Sequence, residues 1–193
     1  MADSTDHIIT NDHSPSLFSR QFGETYHSKF GAITESEQVF VKHGLQYCLS
    51  QKPVLNVFEV GFGTGLNAML SIKSLSAQQF LNYTAIELFP LKIADIQWIA
   101  GNLPASDAGI LQQLHHASWG VQVPVTSSFS LNKIHDNLLN IQLDDSCYDL
   151  VYFDAFSPEA QPEMWSAEVM HKMFQALKPG GVLTTYSLSL IHI

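Results

Sequence analysis

Apolar and polar positions along this chain switch repeatedly between two periods. The run Val54-Leu55-Asn56-Val57-Phe58-Glu59-Val60 is short and apolar and predicts a strand over about 54–60, whereas Leu66 to Ala77 follows helical spacing. The same switch recurs downstream. Strands are expected at about 81–87 (LNYTAIE), 127–135 (SSFSLNKIH), 148–154 (YDLVYFD) and 182–187, and helices near 90–100, 106–117 and 165–177. Phe89-Pro90 opens the first of these helices, a short helical turn follows Asp136, and Lys178-Pro179-Gly180-Gly181 reads as a turn. Strands alternating with helices predict an α/β fold with a doubly wound, mostly parallel sheet. Right-handed crossovers then place ligands at the carboxyl ends of the strands.

Upstream of residue 54 the pattern is less regular. Residues 1–16 are polar, without periodicity, and predict a flexible N-terminal tail. Residues 17–31 (LFSRQFGETYHSKFG) mix aromatics with Arg20 and Lys29 and read as an ordered lead-in. Residues 35–50 show helical spacing, with Val39, Phe40, His43, Leu45 and Tyr47 near one face.

The junction between the first strand and its helix carries the main chemical signal. Glu59-Val60-Gly61-Phe62-Gly63-Thr64-Gly65-Leu66-Asn67 is a glycine turn joining strand to helix. Glycines permit positive φ and close approach of a ligand to the backbone. The first amides of the helix then favour a carboxylate or phosphate. A dinucleotide site wants G-x-G-x-x-G, but these glycines read G-x-G-x-G with an acid two positions upstream. That spacing favours S-adenosylmethionine (AdoMet) as the cofactor. Glu59, Gly61, Gly63, Gly65 and Asn67 are therefore cofactor-binding candidates. Glu87 ends the second strand, either as an acceptor for both ribose hydroxyls or as a solvated strand-end residue. Asp136 follows the third strand, either bonding the adenine amino group or capping the turn after it.

A second cluster closes the strand at 148–154. Asp154-Ala155-Phe156-Ser157-Pro158 would face the cofactor's reactive group in such a sheet. Asp154 is a candidate to hold an amine and help remove its proton, or else a loop acid capping the next helix. Phe156 is a candidate to stack on a base or wall off the methyl group. The loop continues to Trp165, and Pro158 and Trp165 are substrate-loop candidates, with core packing as the other reading of Trp165.

Composition narrows the picture. The 193 residues fit one domain of about 100–200 residues, and 46% hydrophobic content supplies a core. A net charge of −9 argues against a broad basic surface for nucleic acid, though a small local patch or another domain can still hold RNA. No apolar run approaches the ~18–20 residues of a membrane helix, and the polar N-terminus is no signal peptide, so a cytoplasmic location without membrane contact is expected. Cys48 and Cys147 lack metal or redox spacing, and the nine histidines lack H-E-x-x-H spacing, so no metal site is expected.

At these residues the chain resembles a known family. Phe18-Ser19-Arg20-Gln21-Phe22, Tyr26, Ser28, Glu35, Val39-Phe40, EVGFGTGLN (59–67), IELFPL (86–91) and YFDAFSPEAQPEMW (152–165) resemble the methyltransferase domain of the MnmC type, the tRNA 5-methylaminomethyl-2-thiouridine biosynthesis methyltransferases. The resemblance spans about residues 17–187. It implies a Rossmann-like class I fold and AdoMet-dependent methylation of the 5-aminomethyl group on the wobble uridine of tRNA. It also implies an FAD-dependent oxidase domain or protein as a partner, since bifunctional relatives carry one C-terminally. Such a sheet has seven strands, so the last two are expected to be lacking after residue 187. Leu188-Ser189-Leu190-Ile191-His192-Ile193, which resembles a translated sequencing adapter, is expected to be a non-native tail. Aminopropyltransferases share this sheet with acids in corresponding places, as do other small-molecule methyltransferases. A non-catalytic cofactor- or partner-binding fragment is the alternative of another class.

Overall fold

A computed structural model describes residues 4–187. The expected tail at 188–193 lies outside the described residues. A six-stranded sheet forms the centre, built from β4 (Val54–Val60), β5 (Phe80–Glu87), β6 (Gln122–Thr126), β7 (Phe129–His135), β8 (Tyr148–Phe153) and β9 (Leu177–Thr184), in the order β6-β7-β5-β4-β8-β9. All neighbours pair in parallel except β6 with β7. The predicted α/β class, with a mostly parallel sheet, is what forms. Among the described residues, β9 is one edge of this sheet.

Burial on both faces explains why these strands read as apolar runs rather than alternations. The two-residue period is still visible in where side chains go. Leu55 and Val57 of β4, Leu81 and Tyr83 of β5, and Leu150 and Tyr152 of β8 join one apolar cluster. Phe58 and Val60 of β4, with Val151 and Phe153 of β8, join the other. The first cluster is covered by α3 (Leu66–Ser74), α4 (Ile93–Gly101), α5 (Ala105–His116) and the N-terminal helical stretch. The second is covered by α6 (Ala167–Ala176), through Val169 and Met173.

Four features differ from the sequence expectations. First, residues 4–16 are not a flexible tail. β1 (Thr5–Ile9) pairs antiparallel with β2 (Pro15–Ser19), and β2 pairs with β3 (Glu24–Thr25). The turn between β1 and β2 is tied by Asp12, whose carboxylate accepts from Thr10, Ser14 and Thr34. Burial works against its charge, but these hydrogen bonds hold it well below the usual carboxylate range. The cross-chain bonds to Thr34 carry no signal in local periodicity.

Second, α1 (Ala32–Ser36) runs through a π-wound segment (Glu37–Gln46) into α2 (Tyr47–Leu49). The i→i+5 winding changes which residues share a face. Phe40 and Leu45, and Gly44 and Leu49, are buried five residues apart, whereas His43 and Tyr47 are exposed. Third, β6 is an additional antiparallel strand, too polar on one face to stand out. Fourth, pairing of β9 with β8 begins at Leu177 and resumes at Val182, so Lys178-Pro179-Gly180-Gly181 is a bulge within the strand. No helix among the described residues is long and apolar enough to cross a membrane.

Candidate active site

The sheet reverses direction of growth between β4 and β8, and the crevice at their carboxyl ends is where a doubly wound sheet binds ligands. The backbone fixes this corner. The amides of Gly61 and Phe62 both donate to the Ile86 carbonyl at the end of β5, at 3.0 and 3.2 Å, and the Asp154 amide donates to the Val60 carbonyl at 3.0 Å. Gly61, Gly63 and Gly65 all take positive φ, at 84°, 49° and 77°. At Gly61 a Cβ would lie 2.6 Å from the Asp154 carbonyl oxygen, so the close approach of β4 and β8 requires glycine. Gly65 is the left-handed N-cap of α3, and a Cβ there would meet Phe62 and His115 at 3.2–3.3 Å.

A cleft of about 160 Å³ opens above this corner. The structure brings Gly61, Gly63, Asn67, Glu87, Asp136, Asp154 and Phe156 to its lining. Glu87 sits at the end of β5, partly buried. Its two oxygens accept from the Gly63 and Phe89 amides at 2.9 and 2.8 Å. Burial raises its proton affinity, opposed by these amides. Each oxygen keeps a lone pair for a further donor. Asp136 is exposed at the rim and accepts from the Asn137 amide. Asn137, rather than Asp136, caps the short turn by accepting from Leu139.

Asp154 lies against the glycine turn, and its Oδ2 accepts from the Asn67 amide at 2.7 Å. Burial, with help from Glu35 and against the Asn67 hydrogen bond, pushes its carboxyl up to about 7. Glu59 takes a different place from the other members of its motif. It is fully buried beneath the cleft, and its Oε1 accepts from the same Asn67 amide at 3.1 Å. Gly65 likewise shapes the turn from behind and does not line the cleft.

The loop after β8 divides. Phe156 reaches the cleft, but its ring is already engaged. Phe22 stacks on it at 4.5 Å between centroids, and Tyr26 meets it edge-on at 5.1 Å. Trp165 takes the core position: it is 7% exposed, packs edge-on to Phe153, and donates its Nε1–H to the Phe156 carbonyl at 2.7 Å. Pro158 does not line the cleft, whereas Gln161, Glu163 and Met164 do.

The residues least visible beforehand form the cleft's roof. Gln21, Phe22, Tyr26 and His27 come from the N-terminal sheet and its following loop, and Tyr186 comes from beyond β9. Glu24 accepts from the Ser157 amide at 2.9 Å and so holds the loop after Asp154. His27 joins Ser16 to Thr64 of the glycine turn, at 2.9 and 3.2 Å. His115 meets the Thr64 carbonyl at 2.8 Å. Burial pushes both imidazoles down to about 4, so both are neutral at pH 7. Lys133 of β7 is fully buried below the turn, donates to the His115 carbonyl at 2.8 Å, and lies over the Trp119 ring at 4.6 Å. In the sequence the roof is marked by the aromatic density of residues 17–31 and by Gln21, Phe22 and Tyr26 among the residues of the family resemblance.

A cleft of this shape fits an AdoMet-like ligand on its own evidence. The glycine turn presents backbone without side chains, a carboxylate with spare lone pairs ends β5, and the buried Asn67 Oδ1 has no hydrogen-bond partner among the described residues.

Comparison with known proteins agrees with this geometry. The family described as S-adenosyl-L-methionine-dependent methyltransferase matches residues 118–191. The tRNA 5-methylaminomethyl-2-thiouridine biosynthesis bifunctional protein MnmC of Acidovorax sp. (strain JS42) is 27% identical over 188 residues, covering 89% of this chain and 29% of that protein. The protein of the same name from Stutzerimonas stutzeri (strain A1501) is 29% identical, over 88% of this chain and 28% of its own length. The chain thus spans under a third of the length of these curated relatives. The crystal structure of MNMC2 from Aquifex aeolicus superposes with a TM-score of 0.79 at 25% identity, covering 97% of this chain and 61% of that one.

Proposed function

We propose, from the premise that the chain is a methyltransferase domain of the MnmC type, that it methylates the 5-aminomethyl group on the wobble uridine of tRNA, giving 5-methylaminomethyl-(2-thio)uridine. The observation that carries this reading is Asp154, a carboxylate of raised proton affinity at the end of β8, directly against the glycine turn. In this reading Gly61, Gly63 and Glu87 hold AdoMet, with Asp136 at the adenine rim and Gly65 shaping the turn. Bound AdoMet supplies an electrophilic methyl group on sulfonium sulfur.

The chain's own residues must then deliver an amine. An alkylammonium titrates near 10 and has no lone pair while protonated. Asp154 accepts hydrogen bonds from the ammonium, orients its nitrogen, and takes up one proton before the freed lone pair attacks the methyl group. A carboxyl near 7 is matched to that task at neutral pH. The surroundings favour a cation. Burial raises the Tyr186 hydroxyl, and so do the negative charges of Asp154, Glu24, Glu35 and Glu159 around it. That acidic mouth suits an ammonium and disfavours a phosphate, so phosphate contacts of the tRNA belong outside it. Phe22, Tyr26 and Phe156 exclude water from the reacting atoms and align them.

The test is methyl transfer from AdoMet to tRNA carrying 5-aminomethyluridine. Asp154→Asn should lower kcat by about 10²–10⁴-fold, with AdoMet affinity changed less than about threefold, about half of one factor of ten in binding free energy. Full turnover in this variant removes Asp154 from the reaction. A preference for decarboxylated AdoMet would instead favour aminopropyl transfer. The family resemblance implies an FAD-dependent oxidase domain or protein as the partner of such a domain. That partnership is part of the proposal for the longer protein.

A further inference from the structure

Glu59 and Asn67 belong to the glycine motif, yet they take different places: Asn67 lines the cleft and Glu59 lies beneath it. Glu59 is 0% exposed and does not line the cleft. Its Oε1 accepts from the Asn67 amide, and its Oε2 has no hydrogen-bond partner among the described residues. Asn67 is 3% exposed and directs its one NH₂ group to two carboxylates, Glu59 at 3.1 Å and Asp154 at 2.7 Å. This Asn therefore bridges a buried acid and the acid that faces the substrate.

Among the described residues, the groups facing Glu59 give it no positive partner. Asp154 lies beyond β8, Glu87 ends β5, and Tyr83 is on the same face of β5. Burial, then Asp154, raise Glu59 well above the ordinary carboxylate range, while Asn67 and the neighbouring Tyr83 hydroxyl oppose them. A buried carboxylate without a cation is strongly disfavoured and is relieved by taking a proton. Asn67 of α3 and Glu35 of α1 act on Asp154, and Asp154, Glu24, Glu35 and Glu159 act on Tyr186. Asn67 supplies the hydrogen bond that favours the charged form of Asp154.

We propose that Glu59 and Asn67 form a buried positioning pair for Asp154: Glu59 remains a neutral acid, its carbonyl oxygen fixes the Asn67 amide, and the second N–H of that amide holds the Asp154 carboxylate towards the amine. The arrangement has a chemical consequence. A second negative charge at Glu59 would push the Asp154 midpoint higher and leave it protonated at neutral pH. A neutral Glu59 keeps Asp154 able to ionise when substrate arrives. The kinetic part of this inference rests on the role of Asp154 proposed above; the titration part does not.

The test uses the Asp154 carboxyl, titrated by ¹³C NMR in the cofactor-free chain and assigned by its loss in Asp154→Asn, together with the pH profile of kcat/KM. Asn67→Asp replaces the donor with an acceptor. It should raise the Asp154 midpoint by about one unit or more and move the acid limb of the pH profile with it. If that variant does not fold, Asn67→Ala should shift the midpoint in the same direction. Glu59→Ala frees the amide and should raise the midpoint by about half a unit. Glu59→Gln mimics the neutral acid, because its carbonyl still accepts from Asn67, and should restore the wild-type midpoint. A Glu59→Gln midpoint lower by about a unit would show that Glu59 is ionised, and an unmoved midpoint in Asn67→Asp would break the bridge; either overturns the pair. The two readings fail separately. Shifts as expected with full turnover in Asp154→Asn leave the pair standing and remove the amine role. No shift with an inactive Asp154→Asn does the reverse.

Discussion

The floor and the roof of the cleft are built by opposite means. The floor is backbone: three glycines with positive φ, and main-chain hydrogen bonds joining Val60, Ile86 and Asp154 across adjacent strand ends. The roof is side chains: Phe22 and Tyr26 against Phe156, Glu24 on the Ser157 amide, and His27 on Thr64. A backbone floor has no slack, because any Cβ at Gly61 strikes the Asp154 carbonyl. A side-chain roof can yield gradually, and its polar members titrate. The site thus pairs a rigid backbone surface with a cover that substitution or pH can loosen.

The sharpest way to break this contrast is Gly61→Ala. Positive φ and a 2.6 Å contact with backbone should cost about 3 kcal/mol or more and abolish AdoMet binding. Chemical denaturation and calorimetry measure the two effects. A stable variant that binds AdoMet would mean that the floor has slack after all.

Acid should act on the roof through His27, and on the packing behind the glycine turn through His115. His27 and His115 are pushed down to about 4 by burial, so the unfolded chain binds more protons between that value and about 6.5. Stability present above about 6.5 is therefore lost as pH falls towards 4, by an amount of order 2 kcal/mol for the pair once partial exposure is discounted. Hydrogen exchange should show β2, β3 and the glycine turn loosening together. His27→Gln should shrink the acid loss, and an unchanged acid limb would detach His27 from it.

Asp154 predicts the opposite slope. Its carboxyl is raised to about 7, so the native state holds the proton where the unfolded chain has lost it. This group's cost to the cofactor-free fold builds from about pH 4 to 7 and is complete above that. Asp154→Asn should therefore stabilise the fold by about 1–2 kcal/mol at pH 8 and by little at pH 4. Thermal melts at the two pH values decide it. The smallest effect is expected for Phe156→Leu, which removes two aromatic contacts of the roof worth about 1 kcal/mol. It should speed proteolysis near residues 20–30 while leaving the floor intact.

The floor was legible in the sequence because its determinants are local. Gly61, Gly63 and Gly65 announce positive φ, and the apolar runs of β4, β5 and β8 announce strands whose ends must converge. Glu87 and Asp154 are legible as strand-end acids for the same reason. The roof was not legible, because Asp12 ties to Thr34 and Phe22 to Phe156 across distances that periodicity does not record. The buried face of residues 35–50 was misplaced where π winding replaced the helical period. Trp165 had two equal readings until its indole was seen bonding the Phe156 carbonyl.

What the sequence determined by itself is therefore the class of sheet, the glycine cradle and the two acids at its rim, all set by short-range pattern and steric permission. Tertiary structure alone decided that Glu59 lies beneath the cleft, joined through Asn67 to Asp154, and that Gln21, Phe22, Tyr26 and His27 cover it. Burial, and the company a side chain keeps across the fold, set its charge and contacts, and neither is written in its neighbours along the chain.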